Sequence, residues 1–498
     1  MFSGVRSAKF ADPKDVALPE TCSYRLEMLG MRLTSVGLLI FYTALSSALM
    51  SAAQGQQSEA ARQPPQRPNP LIAKIVSEIS EQRIAGILKK LESFETRNTV
   101  SDPSQTNRGI GVARQWIFDQ FKSYSPRLEV SFDTHNIPKG GRIYKDIELR
   151  NVMAILPGKM PGASNRWILV SGHYDSVNLK DAATLRGQPA KAAELPAPGV
   201  SDDASGTACA MESARVLSQY EFDATLVFVA FAGEEQGLVG AKAMARRLKE
   251  RGQEIEAVLN NDIIGNDTSG NGTVEDRRVL VFSEDGADSA SRELARYVHA
   301  IGAKYYPEFG VDMIFRHDRF GRGGDHTAFN QEGYAGVRFT TPAENFANQH
   351  SATDSFTNAS ASYTAKVIRV NAAAAAALAL APKLPVTSGR GGGASGRNGP
   401  GLSRGASGYD AVLRWEHSNP EPDLAGFIVV VRSTTAPDWE REIWVGNVRE
   451  FALKNTPIDQ LVFGVKAVDR DGHESLVSAY VNQTRAANAR PTDTPAEQ

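Results

Sequence analysis

Apolar and polar positions along this chain change period several times. From Leu71 to Phe94, and again from Gly109 to Phe121, apolar residues recur at the spacing of one helix face. Short apolar runs bounded by turn residues predict strands at Leu128 to Phe132, Asn151 to Leu156, Trp167 to Ser171, Thr225 to Phe231, Ala257 to Asp262, Val279 to Phe282 and Gly336 to Thr340. Helical periodicity returns between them, at Ser205 to Gln219, Gly237 to Arg251, Ala287 to Ile301 and Ser362 to Leu380. This alternation implies an α/β fold, a mostly parallel mixed sheet sandwiched by helices. Such sheets bind ligands at the carboxyl ends of their strands.

Beyond that region the pattern changes twice. Residues 386–408 are loaded with Gly, Ser and Arg and read as a linker. Gly391, Gly393 and Gly396 spell GxGxxG there, and Gly401, Ser403 and Gly405 spell GxSxG. Neither follows a predicted strand nor opens a predicted helix, as a dinucleotide site or a nucleophile elbow must, so both are set aside. Residues 409–485 then carry short alternating strands, AVLRWEH, GFIVVVRS, EIWVGNV, EFALKN and LVFGVKAV, with a polar tail at 486–498. This stretch resembles a fibronectin type III module, a small β-sandwich, with Trp415, Phe463, Val465 and Ala467 in its core positions. It departs from that family at Leu461, where a corner tyrosine is usual. Spacing or solubilising is the favoured role for the module, ahead of binding a polymer or cell surface.

Composition narrows the class. The 498 residues exceed one domain, and 41% hydrophobic content is ample for a large core. Lys plus Arg (55) nearly balance Asp plus Glu (57), so nucleic acid is not an expected partner. Met31 and Arg32 precede an apolar run from Val36 to Met50 and the small residues Ser51, Ala52 and Ala53, the layout of a signal peptide at 31–53. Residues 1–30 form an upstream extension, and 54–70 a Gln/Pro-rich spacer. The run is short for a membrane span, so the expected destination is periplasmic or extracellular, with no stable membrane insertion. Cys209 alone would survive leader removal, which excludes a disulfide-stapled scaffold. Cys209 itself reads as small core packing.

The candidate chemistry lies in 71–385. His173 ends the run WILVSG, and Asp175, two residues on, shares its face in extended chain and can orient the imidazole. Asp202 and Asp203 precede a helix, where a carboxylate with both oxygens free can bridge two cations; Asp203 can equally be the helix cap. Glu234 and Glu235 follow TLVFVAFAG, so one can bind metal while its neighbour takes a proton from water. Asp262 ends the next strand and His350 lies beyond the last. Singly, each residue is ordinary; together, glycine-flanked and at successive strand ends, they read as a site.

The segments GHYDS, GVSDDASG, AGEEQGLVG, NNDIIG and QHSATDSF resemble the exported di-zinc aminopeptidases, whose relatives include glutamate carboxypeptidase, glutaminyl cyclase and the transferrin receptor ectodomain. That resemblance implies two zinc ions, one held by His173, Asp202 and Asp262 and the other by Asp202, Glu235 and His350. It also implies a cis peptide between Asp202 and Asp203, Glu234 as general base and Asp175 as histidine orienter. Peptides would be the substrates, cut at the N-terminal residue. The chain departs from well-known bacterial members at Gln349, which replaces a tyrosine that assists the developing oxyanion, and in the long loop between His173 and Asp202. Alternatives are a carboxypeptidase or dipeptidase, for which Arg316, Arg319 and Arg322 offer cations, a glutaminyl cyclase, or a non-catalytic binding relative. Asp325 and His326 are candidates to line the pocket, and Asn266 and Asn271 match glycosylation sequons.

Overall fold

The structure, a computed structural model, describes residue 64 and residues 67–284, 288–317, 323–387, 399–417 and 421–481. The leader, most of the spacer, the GxGxxG segment, Arg319, Arg322 and the polar tail lie outside the described residues.

The apolar stretch at Leu71 to Phe94 is two helices, α1 (Pro70–Ser77) and α2 (Glu81–Glu92). Asn69 caps the first by accepting from Leu71 N, and Ser80 restarts the helix by accepting from Arg83 N. Helix α3 follows (Gly109–Tyr124), then strands β1 (Glu129–Ile137), β2 (Ile147–Leu156) and β3 (Arg166–His173). The long loop after β3 holds two single-turn helices, α4 (Leu179–Ala182) and α5 (Pro189–Ala192), ahead of α6 (Ser205–Leu217). Then come β4 (Thr225–Phe231), α7 (Val239–Glu250), β5 (Glu254–Asn261), β6 (Arg278–Ser283), α8 (Ala290–Tyr305), β7 (Gly310–Ile314), α9 (Asp325–Gln331), β8 (Gly336–Thr340) and α10 (Ala361–Leu380).

The eight strands form one mixed sheet in the order β1-β2-β4-β3-β5-β8-β6-β7. Its centre, β4-β3-β5-β8, is parallel, and β1, β2 and the β6–β8 pairing are antiparallel. Central strands are buried on both faces, which is why they read as unbroken apolar runs. Ile168, Val170, Phe228 and Leu259 pack under α1, α2, α3, α6, α8 and α10, while Leu169, Val227, Val229 and Val258 meet α7 and α9. Each such buried side chain contributes about 1.5–3 kcal/mol. Helix α10 is buried nearly all round, and its one buried amide, Asn371, exchanges hydrogen bonds of 2.9 and 3.1 Å with Asn261 of β5. Cys209 is fully buried in this core, and burial pushes its thiol pKa up.

After the sheet come β9 (Gly401–Arg404), β10 (Ala411–Arg414), β11 (Leu424–Ser433), β12 (Arg441–Gly446), β13 (Glu450–Leu453), β14 (Leu461–Asp469) and β15 (Ser478–Ala479). They form two antiparallel sheets, β13-β10-β9 and β12-β11-β14-β15, over a shared core of Leu413, Trp415, Phe427, Val429, Phe463, Val465 and Ala467. The strand β9 falls within the stretch read as linker, because Leu402 and Ser403 pair in register with Leu413 and Val412. Gly401 and Ser403 of its GxSxG are therefore strand backbone. These sheets pack on the amino ends of the central strands. There Arg166, first in β3, pairs with Glu256 and lies 3.6 Å from Glu421, and Lys383 N donates to Glu421 at 3.2 Å. Trp439 Nε1 donates to Glu293 of α8 at 2.9 Å.

Candidate metal centre

All five ligand candidates converge at the carboxyl ends of the parallel strands. His173 is the last residue of β3, Glu234 and Glu235 follow β4, Asp262 follows β5, and His350 lies in the loop after β8. Asp202 lies just before α6, and the Asp202–Asp203 peptide is cis. Two groups of ligand atoms result, His173 with Asp202 and Asp262, and Asp202 with Glu235 and His350, each with its atoms within 4.8 Å of one another. Asp202 divides its oxygens between them: Oδ1 lies 3.2 Å from His173 Nε2 and Oδ2 lies 3.0 Å from His350 Nε2. His173 Nε2 is also 3.8 Å from Asp262 Oδ1, and His350 Nε2 is 3.3 Å from Glu235 Oε2.

Close packing fixes this arrangement. A Cβ on Gly172 would lie 2.2 Å from the Gly206 carbonyl carbon, and one on Gly206 would lie 2.2 Å from Asn261 O and 2.3 Å from Asp203 Oδ2. Those two glycines let β3, α6 and β5 meet backbone to backbone. Asp203 fastens all three, accepting from His173 N at 3.0 Å, Gly206 N at 2.8 Å and Ile263 N at 3.3 Å, so it is a cap and a brace. His350 has a positive φ of 53°, unusual for a residue with a side chain, and its carbonyl accepts from Leu179 N at 3.0 Å. The long loop thus clamps the last histidine.

Asp175 meets His173 through its backbone more closely than through its carboxylate. The nearest acceptor to His173 Nδ1 is the Asp175 carbonyl at 3.1 Å, and the carboxylate is 3.5 Å away. That carboxylate accepts from Glu234 N at 3.2 Å, Glu235 N at 3.3 Å and Thr99 Oγ1 at 3.0 Å, so it also sets the loop that carries both glutamates.

Crowding perturbs the acids strongly. Burial first, then neighbouring carboxylates, push Glu234 and Glu235 well above the usual carboxylate range. Burial also acts to raise Asp202, but His173 and His350 outweigh it and hold the carboxyl well below its ordinary value. His173 shows the converse, with burial opposing and the carboxylates of Asp175, Asp202 and Asp262 raising it well above normal. His173 Nε2 and Glu235 Oε1 are buried without a well-aligned hydrogen-bond partner among the described residues. Mixed His and carboxylate donors around such orphaned atoms fit a borderline dication such as zinc.

Several supporting residues were not singled out from the sequence. Arg338, fully buried in β8, places Nη2 3.1 Å from Asp262 Oδ1. Asp354 accepts from Ser201 N at 2.9 Å and Asp202 N at 3.0 Å, and burial raises its carboxyl to about 7. The buried Arg97 guanidinium donates to carbonyls of Tyr174, Leu91, Pro198 and Gly199, and burial lowers its pKa to about 10. A lone arginine in the apolar run GVRFT was the available signal for Arg338; Arg97 lies in a polar loop with none. Gln349 donates its amide to Asp202 Oδ2 at 3.0 Å, so it supports the carboxylate shared by the two ligand groups. Asp325 is buried with neither oxygen bonded among the described residues, and His326 Nε2 lies 3.0 Å from Glu284 Oε1. Neither residue lines the cleft at the site. Asn266 is buried and donates to Ala343 O, which removes it as a glycan acceptor, whereas Asn271 is exposed.

Comparison with known proteins places this geometry. A family model described as peptidase family M28 matches residues 151–375. A probable zinc metalloprotease of Pyricularia oryzae is 35% identical over 450 residues, spanning 82% of this chain and 84% of that protein. The chain belongs to peptidase family M28. A second probable zinc metalloprotease of this kind, from Leptosphaeria maculans, is 35% identical over 441 residues, with 82% of this chain and 96% of that protein covered. The solved LapA aminopeptidase of Legionella pneumophila is 21% identical and covers 64% of this chain and 76% of its own, with a TM-score of 0.48. As an M28 member the chain is a hydrolase acting on peptides, grouped with zinc metalloproteases. Among its described residues no helix is long and apolar enough to cross a membrane.

Proposed function

We infer that this M28 peptidase is a zinc-dependent exopeptidase that removes N-terminal residues from peptides. The observation that carries the reading is the pair of ligand groups sharing Asp202, with Glu234 beside them on the wall of an open cleft of about 500 Å³. On this reading His173, Asp202 and Asp262 hold one zinc ion, and Asp202, Glu235 and His350 a second. Bound zinc supplies Lewis-acid activation of water and polarisation of the scissile carbonyl.

The chain's own groups do the rest. Glu234, held by Asp175 through its backbone N–H, takes a proton from the attacking water and returns it to the leaving amine. Asp175 and Arg338 keep His173 and Asp262 aimed at the cleft, and Asp354 fixes the backbone that presents Asp202. The carboxypeptidase alternative rested on cations of which two lie outside the described residues. Export through residues 31–53 and a fibronectin type III-like module at the C-terminus complete the reading. The alternating core of Trp415, Phe463, Val465 and Ala467 supports the module.

The test is a panel of free-amino, amino-blocked and carboxyl-terminal peptide substrates with the full chain, with and without chelator. Zinc-restorable cleavage of free-amino peptides alone is expected. Equal cleavage of amino-blocked peptides, or full activity in protein assayed free of metal, refutes it.

A further inference from the structure

The cleft wall carries two cations that the chemistry above does not use. Arg142 comes from the turn between β1 and β2. That turn is rigid: Gly140 N and Ile143 N each donate to the other's carbonyl at 2.9 Å, and Ile143 is buried against Val100 and Ala193. Lys242 comes from the first turn of α7. Arg142 Nη1 donates to Glu235 O at 2.9 Å and Lys242 Nζ donates to Gly237 O at 3.0 Å. Both heads are therefore tied to the backbone of the Glu234–Gly237 loop and face the same cleft. Neither is paired with a carboxylate among the described residues, although each keeps further N–H groups to donate.

Ordinary surface lysines and arginines point into solvent and pair loosely. These two are pinned at the mouth instead. Arg142 and Lys242 add two positive charges to the wall of this cleft, which Leu179, 42% exposed, also lines. A guanidinium with one N–H on a carbonyl still presents a fork that matches a carboxylate.

We propose that Arg142 and Lys242 form a subsite for a substrate carboxylate, so that the enzyme prefers peptides with an anionic group beside the scissile bond. This rests on the exopeptidase reading, which places the scissile bond in this cleft. The carboxylate has two possible sources, an acidic side chain or the C-terminus of a dipeptide, and the shared recognition is the same.

The experiment measures binding, so that it stands apart from turnover. Calorimetry on zinc-loaded Glu234→Gln protein compares Glu-Leu-amide with Gln-Leu-amide, Leu-Glu-amide with Leu-Gln-amide, and Leu-Leu with Leu-Leu-amide. At least one acidic ligand is expected to bind about tenfold more tightly than its neutral isostere, a difference of about 1.4 kcal/mol, and the pair that shows it identifies the source. Arg142→Ala and Lys242→Ala should each erode that preference, Arg142→Lys should keep only the part that comes from charge without the fork, and about 0.5 M salt, where the Debye length is about 4 Å, should shrink it. Lys249→Ala is the control, since Lys249 lies on the same helix over the Tyr334 ring and away from the cleft. Equal binding in all three pairs, a preference that survives both alanine variants, or equal loss in the Lys249 control overturns the proposal. If wild-type zinc enzyme binds acidic ligands preferentially but cleaves no free-amino peptide, the exopeptidase reading falls and the carboxylate subsite stands.

Discussion

Replacing Arg338 by methionine removes an arginine that faces Asp262 from inside the sheet. The guanidinium and carboxylate are 3.1 Å apart and both are buried, so their attraction is about 5 kcal/mol at an effective dielectric of about 20. Part of that is returned, because methionine needs no desolvation, but Asp262 is left as a buried charge. Among the described residues, the His173 imidazole also lies 3.8 Å away. Breaking a buried pair from one side typically costs about 3–5 kcal/mol. Urea unfolding of metal-stripped protein at pH 7.5 should show a loss of that size in Arg338→Met. With zinc present the loss should be smaller, because a dication then neutralises the same carboxylate. A metal-free variant within about 1 kcal/mol of wild type, judged against typical surface substitutions, or an equal loss with and without zinc, would refute the reasoning.

Glu234→Gln should lower kcat by about a hundredfold to ten-thousandfold while zinc content, measured by elemental analysis, stays at the wild-type level. Gly206→Ala should cost about 3 kcal/mol or more and reduce zinc retention, since the new methyl would meet Asn261 O and Asp203; circular dichroism melting and metal analysis would show it. Glu421 supplies a pH dependence, because burial raises its carboxyl from 4.5 to about 7 despite Arg166 nearby. The folded chain then holds a proton that the unfolded chain releases. The stability from this group is fully present below about pH 4.5 and is lost as pH rises through about 7. Glu421→Gln should flatten the slope of melting temperature against pH in that window; an unchanged slope would count against the assignment.

Where the chain repeats a simple period, the elements were legible. The strand Thr225–Phe231 and the strand Gly336–Thr340 have the boundaries their apolar runs give. The strand Gly310–Ile314 was missed because it lies at the sheet edge, is mostly half-buried, and carries Asp312 in place of an apolar residue. The seven-residue helix Asp325–Gln331 is too short to show a period. The five ligand candidates were visible because glycines and small residues flank each one, a local trace of crowded backbone. Arg97, Arg338 and Asp354 act through buried bonds to residues distant in the chain, which no local pattern records. Asp175 was placed beside His173 by strand alternation, but its hold on Glu234 and Glu235 spans about sixty residues, as their numbering shows, and needed the fold.

The β-sheets at the end of the chain grip Arg166 at the start of β3, whereas His173 stands at its finish. Seven residue steps of extended chain, about 23 Å, separate grip from site. Whatever attaches to those sheets therefore approaches the enzyme from behind. Anything resting on that face would leave the ligand cluster at the opposite end of the sheet uncovered.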